Sequence, residues 1–251
     1  MKHIPLLAFI AGLLATVHGA FADWQENFSV PPYTLDATII DVNGWKRTNA
    51  STALEDAVVL QPAWNPTPML RMRKSETSTQ NRIYNDSFDP FTGKVRLTIE
   101  MAFNFSLDNT TTSVALGFTD PGAQASPVRI GMRFEAEGGI FVTTNEKNTI
   151  LYDNVILAKA NVREDSIYTF VLDIDLENKT LDITVTGLDA DGNPFSFTGT
   201  SITTGSFSQN RISAVHLYSN SRAVNELYVN SIQIATIPEP GDRKSTRLNS
   251  S

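Results

Sequence analysis

The stretch KVRLTIEMAFNF, residues 94–105, decides the fold. Val95, Leu97, Ile99, Met101, Phe103 and Phe105 fall on one side of an extended chain, and Arg96, Thr98, Glu100, Ala102 and Asn104 on the other. Successive side chains of a β-strand point to opposite faces, so this strand has one face in a core and one in water. A helix would scatter the same apolar residues around its axis.

The pattern recurs outward from this stretch. Val128, Ile130, Met132 and Phe134 alternate with Arg129, Gly131, Arg133 and Glu135. Tyr168, Phe170, Leu172, Ile174 and Leu176 alternate with polar residues, as do Leu181, Ile183 and Val185. Shorter strands are predicted at Val58–Leu60, Met69–Arg73, Val114–Phe118, Ile140–Thr144, Thr149–Tyr152, Phe195–Thr198, Ala214–Tyr218 and Leu227–Ile234. Turn residues separate them: Glu137-Gly138-Gly139, Glu177-Asn178, Asp120-Pro121-Gly122, and Asp189 to Pro194 with Gly192 free to take positive φ. No helical stripe of three turns occurs. A dozen or so strands, each with one wet face, imply an all-β chain of two packed antiparallel sheets.

The chain ends set the boundaries. Lys2, the apolar run Ile4–Val17 and Ala20-Phe21-Ala22 read as a secretory signal over residues 1–22, cleaved before Asp23. The run is too short to span a bilayer comfortably. The chain has no cysteine, so the fold must rest on a hydrophobic core over residues 23–236 rather than on disulfides. The formal charge is −7; setting aside Lys2 (+1) and the tail residues Asp242, Arg243, Lys244 and Arg247 (+2) leaves −10. That balance argues against a nucleic-acid partner, whose phosphates need a basic face. It argues more weakly against anionic polysaccharide.

Three resemblances add to this reading. Residues 242–251, DRKSTRLNSS, resemble the translation of a short-read sequencing adapter, and are set aside as an artefact. Pro238-Glu239-Pro240, within residues 237–241, resembles the opening of a PEP-CTERM sorting signal, whose apolar helix and arginine cluster are absent here. That resemblance implies a Gram-negative, exopolysaccharide-producing source. It also implies export and sorting machinery as partners, placement at the cell surface or in the extracellular matrix, and only transient contact with the membrane. Asn27-Phe28, Gly44-Trp45, the long hairpin Ile167–Gly187, Asp191-Gly192 and the closing strand Leu227–Ile234 resemble concanavalin A-like and laminin-G-like jelly rolls. This implies a jelly-roll β-sandwich with a concave sheet and a loop rim that often bind sugars, sometimes with calcium.

Catalytic machinery is hard to find. Nucleophilic catalysis needs an activated nucleophile beside a base, and His216 is the only histidine outside the signal. The Glu-x-Asp-x-Glu run of laminarinase-like jelly rolls is missing. Asp173 and Asp175 share a strand face about 7 Å apart, a separation that permits glycoside hydrolysis but also suits a solvated strand. Glu100 and Glu135 are expected to face each other from neighbouring strands, near Arg96 and Arg133, as cross-strand charge pairs. A lyase would want a Tyr or His base beside arginine, which Tyr218, His216, Arg129 and Arg133 could supply. Asp189, Asp191 and Asn193 cluster oxygens as calcium prefers, and equally describe a hairpin turn. Trp64, between Pro62 and Pro66, is the candidate for stacking on a sugar ring, while Trp45 is expected in the core. The sequence therefore points to an exported, non-catalytic protein that binds extracellular polysaccharide, with Trp64, Arg96, Glu100, Arg129, Arg133, His216 and Tyr218 as candidate ligand residues. A matrix module without ligand and a polysaccharide lyase or hydrolase are the alternatives.

Overall fold

Alternating apolar and polar residues give each strand one face that is stable only against another apolar layer. A computed structural model of the chain shows the consequence: among the described residues every regular element is a strand. The structure describes residues 23–47, 57–73, 81–104, 111–117, 130–135, 139–143, 163, 165–189, 191–203, 211–219 and 226–238. The secretory segment, Arg129, the Thr149–Tyr152 strand, the Asp120-Pro121-Gly122 turn, Glu239, Pro240 and the tail lie outside the described residues.

In chain order the strands are β1 (Trp24–Asn27), β2 (Trp45–Arg47), β3 (Ala57–Leu60), β4 (Met69–Met72), β5 (Asn81–Asn85) and β6 (Phe91–Thr92). There follow β7 (Lys94–Asn104), β8 (Thr111–Gly117), β9 (Ile130–Glu135), β10 (Gly139–Thr143) and β11 (Tyr168–Asp175). The last five are β12 (Thr180–Leu188), β13 (Pro194–Thr203), β14 (Arg211–Ile212), β15 (Ala214–Ser219) and β16 (Glu226–Thr236). An eight-stranded sheet runs β13-β12-β11-β7-β16-β4-β3, with β1 also paired to β16. A six-stranded sheet runs β10-β9-β8-β15-β5-β2, and β14 and β6 form a two-stranded ribbon. All the named pairings are antiparallel, as in a jelly-roll sandwich.

The core lies between the two large sheets. Val95, Leu97, Ile99 and Met101 of β7 are buried together with Ile83 of β5 and with Val215 and Leu217 of β15, in one contiguous cluster. Each such side chain taken fully out of water contributes about 1.5–3 kcal/mol. The same cluster holds β11 and β12, where Tyr168, Phe170, Leu172, Ile174, Leu181, Ile183 and Val185 are all at most 1% exposed. Trp45, expected in the core, is fully buried, with its ring 5.9 Å from that of Phe28. Gly44 before it has φ +85°, and a Cβ there would lie 2.6 Å from Ser87 Cβ, so glycine suits both the backbone and the space.

Two turns differ in detail from expectation. The β11–β12 hairpin turns through Leu176–Lys179, with Lys179 at φ +57°, rather than through Glu177-Asn178 alone. Asp175 closes it, accepting from the backbone N–H groups of Glu177 (3.1 Å) and Asn178 (2.8 Å). In β16 the inward residues are Leu227 and Val229, then Ile232 and Ile234. The change of parity is a bulge between Val229 and Ser231, where one extra residue enters the strand opposite β7.

Candidate functional site

The outward face of the six-stranded sheet collects the groups with binding chemistry. Antiparallel partners directly opposite each other lie on the same face. The register pairs Lys46 with Tyr84, and Tyr84 with His216. Their strand neighbours Trp45, Ile83 and Val215 point into the core, so these three form a ladder on the other face. Lys46 Nζ lies 5.8 Å from the centre of the Tyr84 ring and donates to Asp86 Oδ1 at 2.7 Å. The Asp86 hydrogen bond holds the Lys46 pKa above its ordinary value, so the ammonium is retained at neutral pH. Tyr84 stacks on His216, ring centres 5.7 Å apart and planes 24° from parallel. His216 is only 6% exposed, so it is not a solvent-facing strand residue. Half-buried Tyr84 is therefore the presented ring, and His216 is the group that supports it.

The sequence-derived candidates divide between the two sheets. Tyr218 and Arg133 occupy β15 and β9 of this same sheet, and register aligns them through Ser113 of β8. Arg96, Glu100 and Trp64 belong to the other sheet. Glu100 lies on β7 and Glu135 on β9, so the expected pair of facing carboxylates is corrected: they sit on different sheets.

The partners of Arg96 and Glu100 explain why these residues are charged. Asp173 lies directly opposite Arg96 in the ladder, and the guanidinium donates from Nε and Nη2 to its two oxygens, each at 2.6 Å. Glu100 faces the β16 bulge, and its Oε2 accepts from Asn230 Nδ2 at 2.7 Å and Ser231 Oγ at 2.9 Å. It satisfies the side-chain donors that the bulge presents. Trp64 packs edge-on against Tyr228, centres 5.5 Å apart and planes at 89°, beside a small cluster of Met69, Ala102 and Tyr228. It is half-buried against that sheet, not a free platform.

Asp173 and Asp175 border a shallow groove with Lys94, Thr180 and Asp182. Glycoside hydrolysis needs one carboxyl kept protonated by a raised pKa. Asp175 has the opposite tuning: the Asn178 backbone N–H, chief among several donors, lowers its pKa. Asp173 is committed to Arg96. At the other hairpin, Asp189 Oδ1 accepts from Asn193 N at 2.8 Å and Oδ2 from Asn193 Nδ2 at 3.3 Å. Asp189 N donates to Asn193 O at 2.9 Å, and Gly192 takes φ +83°. These are the bonds of a closed turn. No group of three or more potential metal-ligating His, Cys, Asp or Glu occurs among the described residues.

Sequence reasoning passed over Lys46 and Tyr84. Each belongs to a short strand with a single buried apolar residue at its centre or start, Ile83 in β5 and Trp45 in β2, and one apolar residue makes no alternation. The available signal was Gly44-Trp45 itself, which fixes Lys46 on the face opposite the tryptophan.

No family model matches this chain, and no curated protein matches it. Among solved structures it is similar to the cellulose induced protein Cip1 (TM-score 0.55, 12% identity, 85% of this chain and 97% of that one). It is also similar to the PL-14 alginate lyase of Aplysia kurodai (0.54, 8%, 87% and 100%). A third is the acidic lectin of winged bean in complex with methyl-α-D-galactose (0.51, 8%, 86% and 99%). At such identities the likeness establishes the fold, a concanavalin-like jelly roll, and leaves function to the residues on it.

Proposed function

We propose that the chain is an exported, non-catalytic protein that binds extracellular polysaccharide through the outward face of its six-stranded sheet. The observation that carries this is the Lys46–Tyr84–His216 ladder: an aromatic ring stacked on a second ring, with a cation over it. A flat ring offers an apolar face to the C–H side of a pyranose, and the neighbouring donors take its hydroxyls. Similar folds whose names declare a galactoside ligand or an alginate substrate support carbohydrate as the ligand class. Export and sorting rest on residues 1–22 and on Pro238-Glu239-Pro240. An apolar helix and arginines in the genomic sequence after Gly241 would bear the sorting reading out, and a stop codon there would remove it.

The binding test is a pull-down against a panel of insoluble and immobilised polysaccharides. Retention on at least one, weakened about tenfold or more by Tyr84→Ala with the melting temperature unchanged, is expected for loss of a stacking ring. No retention on any glycan would leave a matrix module without ligand. A second reading is favoured by the same ladder, since a histidine or tyrosine beside a cation is what elimination on a uronate requires. Release of unsaturated oligosaccharides, abolished by His216→Ala, would replace simple binding with lyase chemistry.

A further inference from the structure

Independently of the six-stranded face, we infer a second glycan surface on the other side of the sandwich: an uncharged stripe across the eight-stranded sheet that takes a neutral, extended polysaccharide chain. The register lays the stripe out. One row runs Gln25–Gln233–Thr98–Val171–Thr184–Thr198, across β1, β16, β7, β11, β12 and β13. The strand neighbours Ile234, Leu97, Leu172 and Ile183 lie in the core, so the row faces outward. Gln25, Gln233 and Thr198 are exposed, and Thr98, Val171 and Thr184 are half-buried. At a strand spacing of about 4.8 Å the row is about 24 Å long. The adjacent row adds Thr169, Thr186 and Ser196 on β11, β12 and β13.

Charge and hydrogen bonding select the occupant. The first row contains no ionisable side chain, in a chain of formal charge −7. The charges that flank it are engaged: Arg96 with Asp173 at 2.6 Å on one side, and Glu100 with Asn230 at 2.7 Å and Ser231 at 2.9 Å on the other. An anionic polymer would meet Glu100, Asp173 and Asp182 while Arg96 is already held. Among the described residues, none of the hydroxyls of Thr98, Thr169, Thr184, Thr186, Ser196 and Thr198 is engaged in a side-chain hydrogen bond. A protein partner pressed dry onto the stripe would strip water from these hydroxyls and leave them unmatched, which costs free energy. A neutral glycan returns a hydroxyl to each and lays its C–H groups on the threonine methyls and Val171. The strand spacing is close to the length of one sugar ring in an extended chain, so a chain crossing the strands meets one position of the row per ring. The sandwich then presents a glycan face on each side and can bridge two chains.

The experiment is affinity electrophoresis of the purified chain through native gels containing hydroxyethylcellulose, galactomannan or mixed-linkage β-glucan, all neutral polymers. Retardation in at least one gel is expected. The triple variant Thr98→Val, Thr184→Val, Thr198→Val should bind that polymer at least tenfold more weakly, since valine keeps the shape and the strand preference and removes only the hydroxyls. Thr180→Val, in another row at the β11–β12 hairpin, should bind as the parent does. Should the triple variant not fold, the exposed single change Thr198→Lys carries the same expectation. Retardation lost in Tyr84→Ala and kept in the triple variant would overturn the second surface and leave the six-stranded face standing. Retardation in none of the neutral gels would overturn it as well, with the pull-down still deciding the first reading. Retardation by polygalacturonate that the triple variant abolishes would overturn the choice of a neutral ligand. A parent dimer that sediments as a monomer in the triple variant would make the stripe an interface between copies of this chain and overturn the inference.

Discussion

Gly187 is the position where the packing of this sandwich can be tested most sharply. It lies in β12, and an added Cβ would sit 2.4 Å from Tyr168 Cδ1 and 2.6 Å from Cε1. Carbon atoms in contact ordinarily stay about 3.5–4.0 Å apart, so the overlap exceeds about 1 Å. The ring has nowhere to go. Tyr168 is fully buried; its hydroxyl donates to the Leu188 carbonyl at 2.6 Å and accepts from the Arg163 N–H at 2.8 Å. Overpacking of this kind costs about 1–3 kcal/mol. A glycine-to-alanine change in unstrained backbone would instead stabilise by about 0.4–1 kcal/mol through the unfolded chain, so the two effects have opposite signs. Gly187→Ala is therefore expected to lower the unfolding free energy by about 1–2 kcal/mol, read as a lower urea midpoint at constant slope. In a Tyr168→Val background the ring is gone, and the same alanine should be harmless or favourable. The cycle should show a coupling of at least about 1 kcal/mol. A Gly187→Ala chain as stable as the parent, or additive effects in the cycle, would show that the ring does not cover this glycine.

Trp64→Ala should cost about 2 kcal/mol of stability by uncovering Tyr228 and Met69, and leave polysaccharide retention intact; lost retention without destabilisation would return Trp64 to the binding site. Burial raises the pKa of Glu26, which accepts from Tyr33 Oη and, at 2.8 Å, from Asn43 Nδ2. A carboxyl whose folded pKa is raised contributes stability below its unfolded pKa and loses it as pH rises through the folded one. Relative to Glu26→Gln, the parent should thus lose stability as pH climbs from below the ordinary glutamate range to neutrality. The opposite slope in paired urea titrations would contradict a buried, desolvated carboxyl. Calcium at millimolar excess should leave the melting temperature unmoved, because the Asp189 oxygens are engaged by Asn193; an upward shift of several degrees would restore the cation reading at Asp189, Asp191 and Asn193.

The fold was legible where strands are long and centrally paired. In β11 and β12 the buried set is the alternating set, residue for residue, and in β7 Val95, Leu97, Ile99 and Met101 follow it while Ala102 is buried on the other face, because both edges of each strand are hydrogen-bonded and one face is packed throughout. The strands β1, β2, β5, β6 and β14 were not foreseen. They span two to five residues and are held by their neighbours rather than by any pattern of their own. Trp24–Asn27 has a single fully inward position, Glu26, 2% exposed and polar, which no hydrophobic period can reveal. The β16 bulge was visible in principle: Leu227, Val229, Ile232 and Ile234 are spaced two, three, two, and the odd step is the extra residue.

The site was less legible for one physical reason. Period two assigns a residue to a face, but an outward polar residue acquires its role from whatever lies across the ladder, and that partner is far away in sequence. Arg96 and Arg133 look alike in their strands, each flanked by apolar neighbours. Arg96 faces Asp173 and forms an ion pair, whereas Arg133 stands in line with Ser113. Glu100 looks available for chemistry until the bulge opposite it claims its oxygen. His216 looks solvated until Tyr84, 132 residues earlier in the chain, closes over it in the neighbouring strand. Once the register is known, attention moves from Arg96, Glu100 and Trp64 to the face carrying Lys46, Tyr84 and His216.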